Sequence, residues 1–201
     1  MISVLALAAS PRIGGNSETL LDELLRGATE TWKERGLDAE VRVEKIRLAT
    51  CRILPCTHCD YCSTQMTCIL DDDMRNLYPK LERSDWLILA SPIYFMAHNA
   101  QAKLFIDRCQ PFWAARYLRH HSFQLPDRPR RRGLFVAAGA THGPKVFAGA
   151  KVTMKWFFHS LDMDYWADCC IEGLERRSAA RETPDALRQA FDLGRKLARD
   201  S

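Results

Sequence analysis

Long apolar runs are missing from this sequence. None approaches the ~20 residues that cross a bilayer, so no membrane partner is expected. A secretory leader is not signalled either. The opening MISVLALAAS lacks a basic n-region, and the polar SPRIGGNS after it makes better sense inside the fold. A dominant charge of one sign is also absent: 29 basic residues face 25 acidic ones, a net charge of +4 that does not by itself imply nucleic acid. There is no internal repeat, no low-complexity tract and no interdomain linker. Neither GxxxxGK(S/T) nor GxGxxG occurs, which removes the usual signals for a nucleoside triphosphate or a dinucleotide pyrophosphate.

What remains is an ordinary globular composition, 47% apolar and 27% charged over 201 residues. That length suits one domain, 1–201, with a core large enough to need no crosslinks. The cytoplasm is the expected compartment, where clustered thiols more often mean metal or redox chemistry than structural disulfides.

The periodicity reads as alternating strands and helices. Residues 2–9 form a nearly continuous apolar run, the mark of a strand buried on both faces. Leu20, Leu21, Leu24, Leu25, Ala28 and Trp32 recur at helical spacing, with Gly36 as a left-handed stop. Residues 39–46 alternate as a strand nearer a sheet edge. A cysteine-rich insertion at about 50–72 interrupts the pattern. Asp71 to Asp73 are expected to cap a helix over 74–81, a strand over 86–90 to end at Ser91-Pro92, and a helix over 98–118 to kink at Pro111. A strand over 134–138, a helix over 150–161, a strand over 165–171 and a last helix opened by Thr183-Pro184 complete the chain. The RPRRR run, Arg128 to Arg132, reads as a solvated lead-in to a strand. Cys109, Cys169 and Cys170 read as packing residues.

Five strands alternating with helices predict an α/β fold: three layers around a parallel sheet, covered on both faces. Ligands then bind beyond the carboxyl ends of the strands, which points to the loops after Ala9, Ala90 and Ala138. The first, SPRIGGNSET, offers hydroxyls at Ser10, Ser17 and Thr19, the Asn16 amide, the Arg12 guanidinium and two glycines that let backbone amides turn inward. One cation with several neutral donors suits a phosphate monoester such as the head of FMN; the plain alternative is a turn capped by Asn16 with no ligand. The second loop, Ser91 to Phe95, adds a rigid proline and two aromatics of the kind a flavin ring needs.

Cys56, Cys59, Cys62 and Cys68 form C-x2-C-x2-C-x5-C. Three thiolates at two-residue intervals can wrap one compact centre, and a fourth can close it, as a 4Fe–4S cluster requires. A closed zinc site, disulfides and unliganded thiols are the alternatives. Cys51 is a fifth thiol nearby.

Together, SPRIGGNSETLL, CTHCDYC leading to DDDM, and SDWLILASPIYFMAHNAQAKLFIDR resemble the NADPH-dependent FMN reductase superfamily, and the cysteines resemble its iron–sulfur flavoproteins. The specific motifs cover roughly residues 1–108. The resemblance implies a flavodoxin-like fold with strand order 2-1-3-4-5, FMN as cofactor, and NAD(P)H as a possible donor. Carried over by position, Ser10, Arg12, Asn16 and Ser17 would hold the FMN phosphate, and Pro92, Ile93, Tyr94 and Phe95 would border the ribityl chain and ring. Gly139 and His142 are weaker candidates in the third loop. Cys56, Cys59, Cys62 and Cys68 would ligate the cluster.

Three functions stay open on this reading. One is an electron-transfer flavoprotein coupling FMN to the cluster. The second is a cluster-free NAD(P)H-dependent FMN or quinone reductase. The third is a non-catalytic redox or metal sensor. No catalytic side chain is demanded. Small-molecule or protein redox partners are expected, and the resemblance implies a homodimer or homotetramer, for which Trp113, Tyr117 and Trp156 look exposed.

Overall fold

The structure is a computed structural model that describes residues 1–124 and 126–201. Strands β1 (Ile2–Ala8), β2 (Val41–Arg47), β3 (Trp86–Tyr94), β5 (Arg132–Ala138) and β6 (Asp164–Ile171) form one parallel path in the order β2-β1-β3-β5-β6. The flavodoxin-like α/β expectation holds for this layered parallel sheet. The expected count of five does not: a sixth strand, β4 (Ala97–His98), pairs antiparallel with the end of β3.

The helices are α1 (Asn16–Glu34), α2 (Tyr61–Gln65), α3 (Met74–Arg83), α4 (Ala100–Asp107), α5 (Gln110–Trp113), α6 (Ala148–Ser160) and α7 (Pro184–Arg199). Alternation along the strands divides the core in two, because successive side chains point to opposite faces. Val4, Ala6 and Ala8 face α1 and α7, as do Trp86, Ile88 and Ala90. Leu5, Leu7, Leu87 and Leu89 face the other layer, which α3, α4 and α6 supply. None of the described helices is long and apolar enough to cross a membrane.

Local details depart from the sequence in instructive ways. Gly36 does end α1 in the left-handed region, at φ +69°. Thr183 precedes α7, but its hydroxyl donates to Ala179 O at 2.8 Å and caps nothing. The kink expected at Pro111 is a break instead: α4 stops at Asp107, and α5 restarts with Pro111 in its first turn, where a missing N–H costs nothing. The strand expected to end at Ala90 runs on to Tyr94. Its partner β1 ends at Ala8, opposite Ala90, so Pro92 lies where only β5 still pairs with the strand.

The RPRRR run is not solvated throughout. Arg131 is wholly buried, donating through Nε to Ser84 O (3.0 Å), through Nη1 to Leu161 O (2.7 Å) and through Nη2 to Leu81 O. Three converging carbonyls accept what water would otherwise accept, so the charge can be buried.

Candidate functional site

The carboxyl ends of β1, β3 and β5 open into a small cleft of about 160 Å³. Ser10, Arg12, Asn16 and Ser17 line one side, and Pro92, Ile93 and Tyr94 another. Leu174 and Arg177, from the segment after β6, close it. The first loop turns tightly: Gly15 N–H donates to Arg12 O at 3.2 Å, and Ser10 Oγ accepts from Arg12 N–H at 3.1 Å. A Cβ on Gly15 would lie 2.8 Å from Ser10 Oγ, so the hydroxyl occupies the space a side chain would fill.

Two features fit a phosphate. Ser17 is buried, and its Oγ has no hydrogen-bond partner among the described residues, although it lines the cleft. An orphan buried hydroxyl is costly unless something occupies the site it faces. Second, two guanidiniums line the cleft, Arg12 and Arg177; the latter donates to Ile13 O at 3.0 Å. The sequence offers one cation in this loop, Arg12; Arg177 escapes local reading because it reaches the cleft from 164 positions beyond Ile13.

Asn16 has other work. Its Nδ2 donates to Leu174 O (2.9 Å) and Arg176 O (2.7 Å), while its Oδ1 accepts from Ala180 N–H (3.1 Å). Both amide hydrogens are therefore committed to holding the Arg177 segment against α1. Glu18, in the first turn of α1, accepts from Gly14 N–H at 2.9 Å and pairs with Lys45 and Arg47 of β2. Burial would raise its pKa, but the Lys45 and Gly14 hydrogen bonds outweigh it and hold the carboxyl below the usual range.

The second loop is a hairpin. Ile93 pairs with His98 and Tyr94 with Ala97, leaving a two-residue turn of Phe95 (φ +51°) and Met96 (φ +61°). Two bulky non-glycine residues in the left-handed region carry backbone strain. Buried Asn99 anchors the hairpin base by donating to Ala9 O at 2.7 Å and capping α4 through Ala102 N–H at 3.3 Å. Phe95 is fully exposed and lies outside the cleft lining, whereas Tyr94 lines it.

Gly139 and His142 are not among the lining residues. Gly139 donates to Ile171 O and accepts from Leu174 N–H, both at 2.9 Å, and a Cβ there would meet Val146 at 2.9 Å. His142 is exposed beside Gly173 and lies 3.4 Å from the Glu172 carboxylate.

The cysteine segment forms a second site. Cys56, Cys59, Cys62 and Cys68 all line one cavity of about 600 Å³, walled on the far side by Arg108, Pro111 and Trp113. His58, Asp60 and Met66 adopt left-handed φ of 52°, 57° and 55°, reversals that wrap the short α2 and bring the thiols round one space. Burial first, and then the nearness of the other three cysteines, pushes the Cys62 thiol up. Four cysteine sulfurs around one cavity are the donor set a 4Fe–4S cluster would take. Among the described residues, no three His, Cys, Asp or Glu side chains converge as a single-ion site. Cys51 stands apart, with its Sγ donating to Arg47 O at 3.6 Å.

The segment's neck is closed by the acidic run. Asp73 Oδ2 accepts from Arg52 N–H (2.7 Å), and Asp72 accepts from Leu54 N–H (2.8 Å) and Met74 N–H (3.0 Å). The expected capping of α3 thus comes from Asp72. A buried ion pair with Arg108, unforeseen in the sequence, completes the closure.

Residues 2–163 match the model of the NADPH-dependent FMN reductase family. Over 203 aligned residues the chain is 32% identical to "Iron-sulfur flavoprotein MJ1083" of Methanocaldococcus jannaschii, covering 98% of this chain and 96% of that protein. It is 35% identical over 111 residues to an "Iron-sulfur flavoprotein" of Archaeoglobus fulgidus, and 32% over 107 residues to one of Methanosarcina thermophila. Those two alignments cover 55% and 53% of this chain but only about half of the relatives, 47% and 52%. Among solved structures, a NAD(P)H:quinone oxidoreductase from Methanothermobacter marburgensis superposes with a TM-score of 0.71 at 17% identity, covering 98% of this chain and 96% of that one. An FMN-dependent NADH-azoreductase from Bacillus anthracis, in complex with FMN, gives 0.65 at 15%, covering 98% and 100%. These two likenesses establish the fold alone.

Proposed function

The chain belongs to the NADPH-dependent FMN reductase family, and we propose on that footing that it is an FMN-binding oxidoreductase whose cysteine segment carries a 4Fe–4S cluster. The observation that carries the flavin half is the orphan Ser17 hydroxyl, buried in a cleft with two guanidiniums. The cluster half rests on four thiols around one cavity in a chain similar to iron–sulfur flavoproteins.

Ser10, Ser17, Arg12 and Arg177 hold the phosphate, with charge-assisted hydrogen bonds from the guanidiniums. Asn16 positions the segment that presents Arg177. The β3–β4 hairpin gives the ring an apolar border through Ile93 and Tyr94, and the exposed Phe95 at its tip can fold over a bound ring or meet a partner. Cys56, Cys59, Cys62 and Cys68 ligate the cluster. Bound together, the two groups supply conversion between pairwise and single-electron transfer, and the protein's part is position and electrostatics. No side-chain acid, base or nucleophile is assigned.

NAD(P)H is the donor we favour, with a small-molecule or protein acceptor, in the cytoplasm. Self-association as a homodimer or homotetramer has a candidate surface in Trp113, Tyr117 and Trp156. All three are exposed; Trp113 meets Tyr117 at 5.8 Å between ring centroids, and His159 joins Tyr117 at 6.0 Å and Trp156 at 5.9 Å.

Purification without oxygen, followed by absorbance spectroscopy and counts of iron and sulfide, tests the reading. About one flavin with about four irons per chain is expected for a 4Fe–4S protein. Flavin with fewer than about two irons reduces the function to a cluster-free reductase. Absence of affinity for FMN overturns it altogether.

A further inference from the structure

Arg108 lies just beyond α4, and its side chain is wholly buried. Burying an ion pair seldom improves on well-packed apolar residues, so a buried arginine invites the question of what its charge serves. Its guanidinium has four contacts. Nη1 pairs with Asp72 Oδ2 and donates to Leu54 O at 2.8 Å. Nη2 donates to Asp72 Oδ1 at 3.2 Å and to Cys68 Sγ at 3.3 Å. Nε is buried with no partner among the described residues.

One side chain thus ties together the strand of chain entering the cysteine segment, at Leu54, the strand leaving it, at Asp72, and a sulfur. Cys68 is the isolated member of the motif, separated from the triple by five intervening residues, and depends most on an outside anchor. Cys51, its rival as a fourth ligand, is directed to Arg47 O and does not line the cavity.

We propose that Arg108 is a positioning residue that fixes Cys68 as the fourth cluster ligand and raises the reduction potential of the cluster through its N–H···S hydrogen bond. The inference rests on the cluster reading above. Reduction adds negative charge, and a donor or cation beside a ligand sulfur stabilises the more negative form; hydrogen bonds to the sulfurs and net charge are among the factors that set such potentials. Asp72 offsets most of the arginine's formal charge. The directed hydrogen bond is therefore the larger part of the effect.

The experiment is a redox titration followed by electron paramagnetic resonance on full-length protein reconstituted without oxygen, with iron and sulfide counted in each sample. Arg108→Gln alone would strand a buried carboxylate, so the informative variant is Arg108→Gln with Asp72→Asn. That variant is expected to load less iron than wild type, because Cys68 loses its anchor, and in the loaded fraction to shift the one-electron equilibrium about tenfold toward the oxidised form, equivalent to a potential lower by about 59 mV. Arg108→Lys, which keeps the charge but not the fork, should shift in the same direction by less; it decides alone if the double variant does not fold. A fully loaded cluster at the wild-type potential in these variants overturns the proposal while leaving the cluster reading intact. Retention of the cluster in Cys68→Ser with its loss in Cys51→Ser also overturns it. Wild-type protein that takes up no iron sinks the cluster reading itself, and this inference with it.

Discussion

Asn16 holds Arg176 by a 2.7 Å hydrogen bond from its side-chain amide to the backbone carbonyl, and so sets the position of the adjacent Arg177. A residue that the sequence offers as a phosphate ligand has both amide hydrogens on backbone carbonyls and tethers the segment that carries a second guanidinium of the cleft. Asn16→Ala should therefore weaken FMN binding indirectly, by about tenfold, or about 1.4 kcal/mol. Flavin fluorescence titration of the apoprotein reads the change. Unaltered affinity would mean that Arg177 needs no tether.

Gly194 lets α7 lie against α1. A Cβ at that position would stand 1.9 Å from Leu24 O, and one at Gly27 would stand 2.2 Å from Phe191 O. Backbone cannot yield as a side chain can, so Gly194→Ala should cost about 3 kcal/mol by overpacking. Gly36 faces open space but has φ +69°, so Gly36→Ala should cost only about 1 kcal/mol. Urea denaturation of both variants checks the order; equal losses would contradict the close helix contact.

Arg131 is the clearest place where local sequence misled. Burial, and then the nearby Arg128, lower its guanidinium pKa to about 10, still charged at neutral pH. Arg131→Met should leave three buried carbonyls without their donor and cost at least about 3 kcal/mol, since each stranded acceptor costs about 1–3 kcal/mol. A thermal midpoint within a degree of wild type would show that the carbonyls find other partners.

Asp162 supplies an acid-sensitive joint. It accepts from Ser122 Oγ at 2.6 Å and pairs with Arg116. Burial would raise its pKa, yet the Ser122 and Arg116 hydrogen bonds outweigh it and hold the carboxyl well below the usual range. The folded pKa is therefore depressed. Its stabilisation is complete above the unfolded value of about 3.9 and is lost as pH falls through the folded one. Asp162→Asn, which tolerates the residue's φ of +57°, should be less stable than wild type at pH 7, and the gap should narrow below about pH 4. A pH-independent gap would assign the loss to packing.

The layered sheet was legible because burial on both faces leaves continuous apolar runs such as residues 2–9, and helix faces such as Leu20 to Trp32 repeat regularly. The loop after Ala9 and the cysteine spacing were legible as candidate sites because their residue pattern is local in sequence. What was hidden is non-local. Arg108 meets Cys68 across 40 positions, and Arg177 meets Ile13 across 164. The β3–β4 hairpin was hidden for a different reason: its turn uses Phe95 and Met96 where left-handed backbone normally calls for glycine or asparagine.

The central claim is that the cleft at the strand ends grips a phosphate. Calorimetric titration of the apoprotein with FMN and, separately, with riboflavin isolates that group, since the two ligands share the ring and ribityl chain. Two guanidiniums and the Ser17 hydroxyl predict FMN tighter than riboflavin by at least about a hundredfold, from hydrogen bonds to charge worth about 1.5–3 kcal/mol each. Equal affinity for the two would contradict the account.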